Sequence, residues 1–397
     1  MRINQEYPNI GVQISQETEF DHREHTPVYT TTTDKNGNWK IEGVEPGTYN
    51  VVAEKEGWGW RYVLEYNATE KELLIKLYPE IIIENNVNNT IMMQEDQHLI
   101  IKRNIILEKN AKLVITNGAW IRLFPDVSVW NYGEMSIEQN NTKIIRIINE
   151  DLNNKWKSIY NLKGSKFFDK FCLIKNSKSG IRWENVKNID IHYYYLNNNN
   201  IALQFSGCNN VNISSILLTK NYTGILFSNT DSIFINNTIM IKNSLSVKGS
   251  LGKLIMTDNY FYRNEGALDY GIGNFVAEHN NFELNETALN LIAKNKFSIK
   301  YNLFIFNTVD VASNYAYNNG AGKYIINFNN FINTKEYYFF QEQGSVLNTV
   351  DAKENWWDSD DVNEIQLKIL DCNDNNELKC VDIFPIANNY ISKAGLR

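Results

Sequence analysis

Asp269 in "ALDY" and Asp310 in "TVDV" are the residues whose type and spacing come closest to supporting a reaction. Each is the third residue of a short apolar-x-apolar beat, and such beats recur at intervals of 20 to 23 residues. If each beat is one strand of a stack, two repeats place the aspartates about 9.6 Å apart along the stack. Inverting glycoside hydrolysis uses two carboxyl groups roughly 6.5–9.5 Å apart as general acid and general base. Asp269, Asn290 and Asp310 together also form an oxygen-rich set of the kind Ca²⁺ accepts.

The elements that would position these groups are visible as a repeat. The first beat recurs as "GIRW" (180), "ALQF" (202), "GILF" (224), "SLSV" (244), "ALDY" (267), "ALNL" (288) and "TVDV" (308). A second beat follows each, from "NIDI" (188) through "KFSI" (296). An aromatic closes the later repeats at Phe261, Phe282, Phe304, Phe331 and Trp357, each two residues after an Asn. Three-to-five-residue segments of alternating polarity are strands, and about 22 residues hold three of them with three turns. Stacked coils of this kind make a parallel β-helix in which the repeated Asn bonds from coil to coil.

Residues 99–137 have the grammar of opening coils, and "NWWDSDDVNEIQLKILDCNDNNELKCVDIFP" (355–385) that of a closing coil with a capping helix. The segment 81–397 resembles the right-handed parallel β-helix (pectate-lyase-like) superfamily, with a cap over about 355–397. In such a coil the outward residues of the first beat are expected to be Arg182, Gln204, Leu226, Ser246, Asp269, Asn290, Asp310 and Tyr338. The resemblance implies that substrate-binding and catalytic groups lie on this outer face. "SVKGSLGKLIMTDNYFYRNEGALDYG" is similar to the part of alginate-type lyases that carries a basic pair, which implies Lys248 as the base of a β-elimination. Where those lyases place Arg, this chain has Asp269 or Tyr270.

Residues 1–80 read differently. "NWKIEGV" and "YNVVAEK" alternate with period two, and "DKNG" and "EPGT" supply turn residues, predicting short antiparallel strands. With Thr33-Asp34, Asn36-Gly37, Ile41, Gly43-Val44, Pro46-Gly47-Thr48-Tyr49, Val51 and Gly57, this region resembles the carboxypeptidase-regulatory-like (transthyretin-like) β-sandwich family. The resemblance implies an accessory module of secreted or surface proteins. Such modules have a strand before the one read in "IGVQIS", so either the numbering begins after a removed leader, or a neighbouring chain supplies that strand, or the sandwich is slightly shortened.

The totals narrow the partners. With 46 acidic and 39 basic side chains and no long run of either sign, the chain lacks the basic face that nucleic acid requires. No apolar run reaches the roughly 20 residues that span a bilayer. Nine Trp, 22 Tyr and 19 Phe favour sugar stacking, with Trp58, Trp60 and Tyr338 as candidates. Cys372 and Cys380, eight positions apart in a polar loop, are expected to pair in an oxidising compartment. "HREH" at 22–25 is set aside as a metal site, and none is assigned.

The expected architecture is therefore all-β: a small sandwich, then a three-strand-per-coil β-helix. The expected function is that of a secreted or cell-surface protein presenting an extended polar face to a polysaccharide or glycan surface, or to surface assembly, without catalysis. One alternative is a polysaccharide hydrolase or lyase. Another is a structural subunit that forms homo-oligomers or filaments by strand addition at the sandwich.

Overall fold

The computed structural model describes residues 20–69, 72–137, 143–167, 170–292, 296–314, 324–341, 349–378 and 380–397. From Ile81 onward the chain winds into a parallel β-solenoid of about 11 turns. A complete coil is exemplified by the strands Ile201–Ser206, Asn209–Ser214 and Leu217–Thr219. Each pairs in parallel with the strand 22 positions later, as Leu203 with Ile225, Val211 with Ile233 and Leu217 with Ile239. The first strands of successive coils form a twelve-stranded sheet running from Ile105–Leu107 to Ile369–Leu370. Among the described residues no helix is long and apolar enough to cross a membrane.

Because parallel strands sit one spacing apart, identical side chains in successive coils fall directly over one another. Phe261, Phe282, Phe304, Phe331 and Trp357 stack face to face inside the solenoid, with centroid separations of 4.8, 5.0, 4.9 and 4.5 Å. The same translation builds two buried asparagine ladders. One comprises Asn259, Asn280, Asn302, Asn329 and Asn355, the repeat noted in the sequence. The other runs through Asn199, Asn221, Asn243, Asn264, Asn285 and Asn307 and was not anticipated.

Asn264 shows the ladder chemistry. Its Oδ1 accepts the backbone N–H and the Nδ2 of Asn243, at 2.9 and 3.1 Å. Its own Nδ2 donates to Asn285 Oδ1 and to the Met240 carbonyl, both at 2.9 Å. A buried amide is tolerated because every donor and acceptor is used. The residue before each ladder position has left-handed backbone, including Asp258, His279, Tyr301 and Phe328 at φ 55°, 58°, 55° and 61°. That conformation turns the corner between strands and aims the following Asn inward.

The N-terminal region contributes one antiparallel pair, Thr48–Lys55 with Gly59–Asn67. Asn38 to Val44, expected as a strand, has no strand pairing. Asp34 instead accepts the N–H groups of Asn36 and Asn38, holding a tight turn, and most of the stretch is exposed with little apolar surface to bury. "IGVQIS" lies outside the described residues.

The pair docks on the solenoid through Trp60. That ring is buried against His98 and Trp120, with centroids 4.6 and 5.4 Å away. The Arg122 guanidinium lies 4.1 Å over it and is held by Glu80 at 2.7 Å and Glu150 at 2.5 Å. At the far end a short helix, Val362–Gln366, is capped by Asp361, which accepts the Asn363 N–H. Cys372 and Cys380 are disulfide-bonded, with Cα atoms 4.7 Å apart.

Candidate functional site

The strand register fixes which side chains line the outer face of the twelve-stranded sheet. Tyr160, Arg182, Gln204 and Leu226 are successive partners, followed by Lys248, Asp269, Asn290, Ala312 and Phe340. Arg182, Gln204, Leu226, Asp269 and Asn290 stand where the sequence placed them, and Lys248 joins them.

Three expectations fail. Ser246, Asp310 and Tyr338 are buried, at 0%, 0% and 4% exposure. In this sheet the residue two before the outward one sits at the corner and turns inward beneath the asparagine ladder. Other coils fill the position with Gly180, Ala202, Gly224, Ala267 or Ala288. "SLSV" and "TVDV" were therefore read two residues early.

Asp310 lies inside and Asp269 outside, so the two cannot flank one substrate. Asp310 Oδ1 accepts from Asn307 Nδ2 at 2.9 Å and Oδ2 from Thr334 Oγ1 at 2.5 Å. Burial pushes its carboxyl up to about 7, against the opposing pull of these two hydrogen bonds and Lys368. The Ca²⁺ set loses convergence for the same reason. Among the described residues no group of three or more His, Cys, Asp or Glu could hold a metal ion.

The tyrosine and tryptophan candidates also divide. Tyr338 donates its hydroxyl to the Trp357 carbonyl at 2.6 Å and belongs to the core. Trp60 is the docking anchor and offers no open surface. Trp58 is 38% exposed at the turn of the strand pair, with Lys55 Nζ 4.5 Å over its ring.

What the structure does bring together is a groove of about 480 Å³ on the outer face, lined by Lys248, Glu265, Asp269, Asn290, Ala312 and Phe340, among others. Its shape has a simple cause. Along the ladder, small Ala312 stands between Asn290 and Phe340 and leaves a notch two strand spacings wide, about 9.6 Å. One wall is polar: Lys248 Nζ lies 3.6 Å from Asp269 Oδ2, and Asn290 Nδ2 3.5 Å from Asp269 Oδ1. Asn290 Oδ1 is buried without a hydrogen-bond partner among the described residues. The opposite wall is the Phe340 ring.

Further along the face, Trp130 and Tyr160 stack at 5.6 Å, and the Arg182 guanidinium lies 4.8 Å over Tyr160. Arg182 is paired with Glu184 at 3.1 Å, and Gln204 Oε1 accepts from Ser179 Oγ at 3.1 Å. Trp130 and Phe340 were missed because the intervals 130 to 160 and 312 to 340 depart from the 22-residue period, Tyr160 because it precedes the first beat recognised, and Ala312 because "TVDV" was read two residues early. A search for outward aromatics beside the irregular coils would have found Trp130, Tyr160 and Phe340.

The groove can bind a small polar ligand that has one apolar face. It holds a carboxylate, an amide and an ammonium for hydroxyl groups, and an aromatic ring for C–H surface. No family model, no curated protein and no solved structure matches the chain.

Proposed function

We propose that this chain is a glycan-binding β-solenoid that works outside the cell, holding sugar in the notch between Asn290 and Phe340 without turning it over. The observation that carries the reading is the notch itself, with a hydrogen-bonding wall of Asp269 and Asn290 facing an aromatic wall across Ala312. A pyranose has the matching character, with hydroxyls around its rim and apolar C–H faces. The Cys372–Cys380 bond supports an oxidising compartment.

Loss of the Asp269/Asp310 pair removes the acid–base geometry that favoured hydrolysis. Glu265 still lines the groove beside Asp269, so the binding assay should also read reducing ends and absorbance at the wavelength of unsaturated uronates. The decisive experiment is affinity electrophoresis on gels containing soluble polysaccharides, comparing the wild type with Ala312→Leu. Retardation that disappears when the notch is filled supports the proposal. Retardation unchanged in Ala312→Leu, or none in the wild type, overturns it.

Self-assembly by strand addition is the second reading, favoured by the N-terminal sheet having two strands among the described residues. Sedimentation at rising concentration tests it, and a constant monomer mass rules it out.

A further inference from the structure

We infer that the ligand of this face is an uncharged polysaccharide chain lying along the solenoid axis, and not an anionic one; the inference rests on the glycan-binding reading above. The first argument is charge. Arg182 and Lys248 are the cations of the outward ladder from Tyr160 to Phe340. Each already has a carboxylate partner: Arg182 with Glu184 at 3.1 Å, and Lys248 with Asp269 at 3.6 Å. Glu265 adds a further negative charge to the groove. A uronate or sulfate brought to either cation would meet that partner carboxylate, and like charges at such range repel. Neutral hydroxyls, in contrast, find both donors and acceptors in the Lys248–Asp269–Asn290 row.

The second argument is length. Tyr160 and Phe340 are separated by eight strand spacings, about 38 Å. The row between them faces outward throughout, with the notch near one end and the Trp130–Tyr160–Arg182 column at the other. A sugar unit in an extended chain advances by about one strand spacing, about 5 Å, so each unit meets a new coil. The rings of Trp130 and Tyr160 cover one another and Arg182 covers Tyr160, so that column offers mainly ring edges as an apolar wall. The open floor beside Ala312 lies in the notch.

The test uses isothermal titration of the full chain with neutral oligosaccharides of two, four and eight units, and with oligogalacturonates of the same lengths. The expected result is binding of a neutral series that tightens at least tenfold from two to eight units and is unchanged between 50 and 500 mM salt. Asp269→Asn releases Lys248 from its partner and is expected to gain oligogalacturonate binding that salt abolishes. Wild-type binding of the uronate series in preference to every neutral one overturns the inference while leaving glycan binding intact. Neutral binding independent of length overturns the axial arrangement. If neither series binds, the glycan-binding reading itself fails.

Discussion

Asp310 Oδ2 accepts a hydrogen bond from Thr334 Oγ1 of the following coil at 2.5 Å, at the point where the asparagine ladder from Asn199 to Asn307 ends. Asn307 would otherwise donate to an Asn in the next coil. That coil has Thr334 instead, and Asn307 Nδ2 donates to the inward carboxyl of Asp310, at 2.9 Å from its Oδ1. The remaining neighbours with charge or a titratable group are Lys368, whose Nζ donates to the Thr334 carbonyl at 2.5 Å, and Tyr338, over whose ring Lys368 lies. A carboxyl raised to about 7 from the ordinary 3.8 is kept protonated by the fold. Between those values the unfolded chain releases a proton that the folded chain retains. Stability from this group is therefore full below about pH 4 and is lost as pH rises through 7, by on the order of 2–4 kcal/mol. Asp310→Asn should flatten the fall in melting temperature between pH 4 and 8 and raise it at pH 8. An unchanged slope would assign the pH dependence elsewhere.

Removing one rung should cost more than removing a surface amide. Asn264→Ala deletes two donated hydrogen bonds and leaves both the Asn243 Nδ2 and its backbone N–H without their acceptor. Two stranded buried donors predict a loss of about 2–5 kcal/mol, read by urea unfolding followed by circular dichroism. Asn212→Ala, whose Nδ2 donates to Asp190 Oδ1 at 2.8 Å on an exposed rung, should change stability by less than about 0.5 kcal/mol. Equal losses in the two variants would contradict the ladder account.

Trp60 ties the N-terminal strand pair to the solenoid, and its removal should loosen the pair without unfolding the solenoid. Burial, reinforced by the nearby Arg122 charge, pushes His98 down to about 3, so the imidazole under Trp60 is neutral and its contact with the ring is apolar. Trp60→Ala empties this site at a cost of about 3–5 kcal/mol to docking. Limited proteolysis should then cut between Asn67 and Ile81 much faster than in the wild type. The far-ultraviolet spectrum of the solenoid should stay unchanged, and collapse of that spectrum would show that the strand pair is integral to the coils.

Much of this architecture was legible because translation by one coil writes itself into the sequence. The Phe261-to-Trp357 stack and the ladder ending at Asn355 both appear as an Asn-x-aromatic repeat, since a side chain that works in one coil works in the next. The outward row was legible only in part. Asp269 and Asn290 follow from period-two alternation, but the corner beside each first strand breaks that alternation by turning one more residue inward. "TVDV" and "DVAS" fit the alternation equally well, and only the pairing of Leu289 with Val311 decides between them. The notch was illegible for a different reason: it is made by what is missing at Ala312, and a small residue on an outward row leaves no mark in a pattern of polarity.

That missing volume supplies the most direct test of function. Ala312 is buried, at 8% exposure, on the floor of the groove, and Ala312→Leu projects a larger side chain from that floor into the open space between Asn290 and Phe340. Overpacking a closed site costs about 1–3 kcal/mol, and the open notch should hold the loss to about 1 kcal/mol or less, read from the melting curve. Phe340→Ala widens the notch instead and removes its aromatic wall. It should weaken sugar binding by about 1–2 kcal/mol, a factor of about 5–30, through loss of ring contact. Asp269→Ala removes the acceptor that organises both Lys248 and Asn290, and should weaken neutral sugars to a similar degree. Titration of the three variants with one neutral oligosaccharide separates the contributions. Loss in all three, with melting curves that overlay the wild type, places the ligand in the notch. Loss in Asp269→Ala alone would move the site along the row toward Lys248 and away from Phe340.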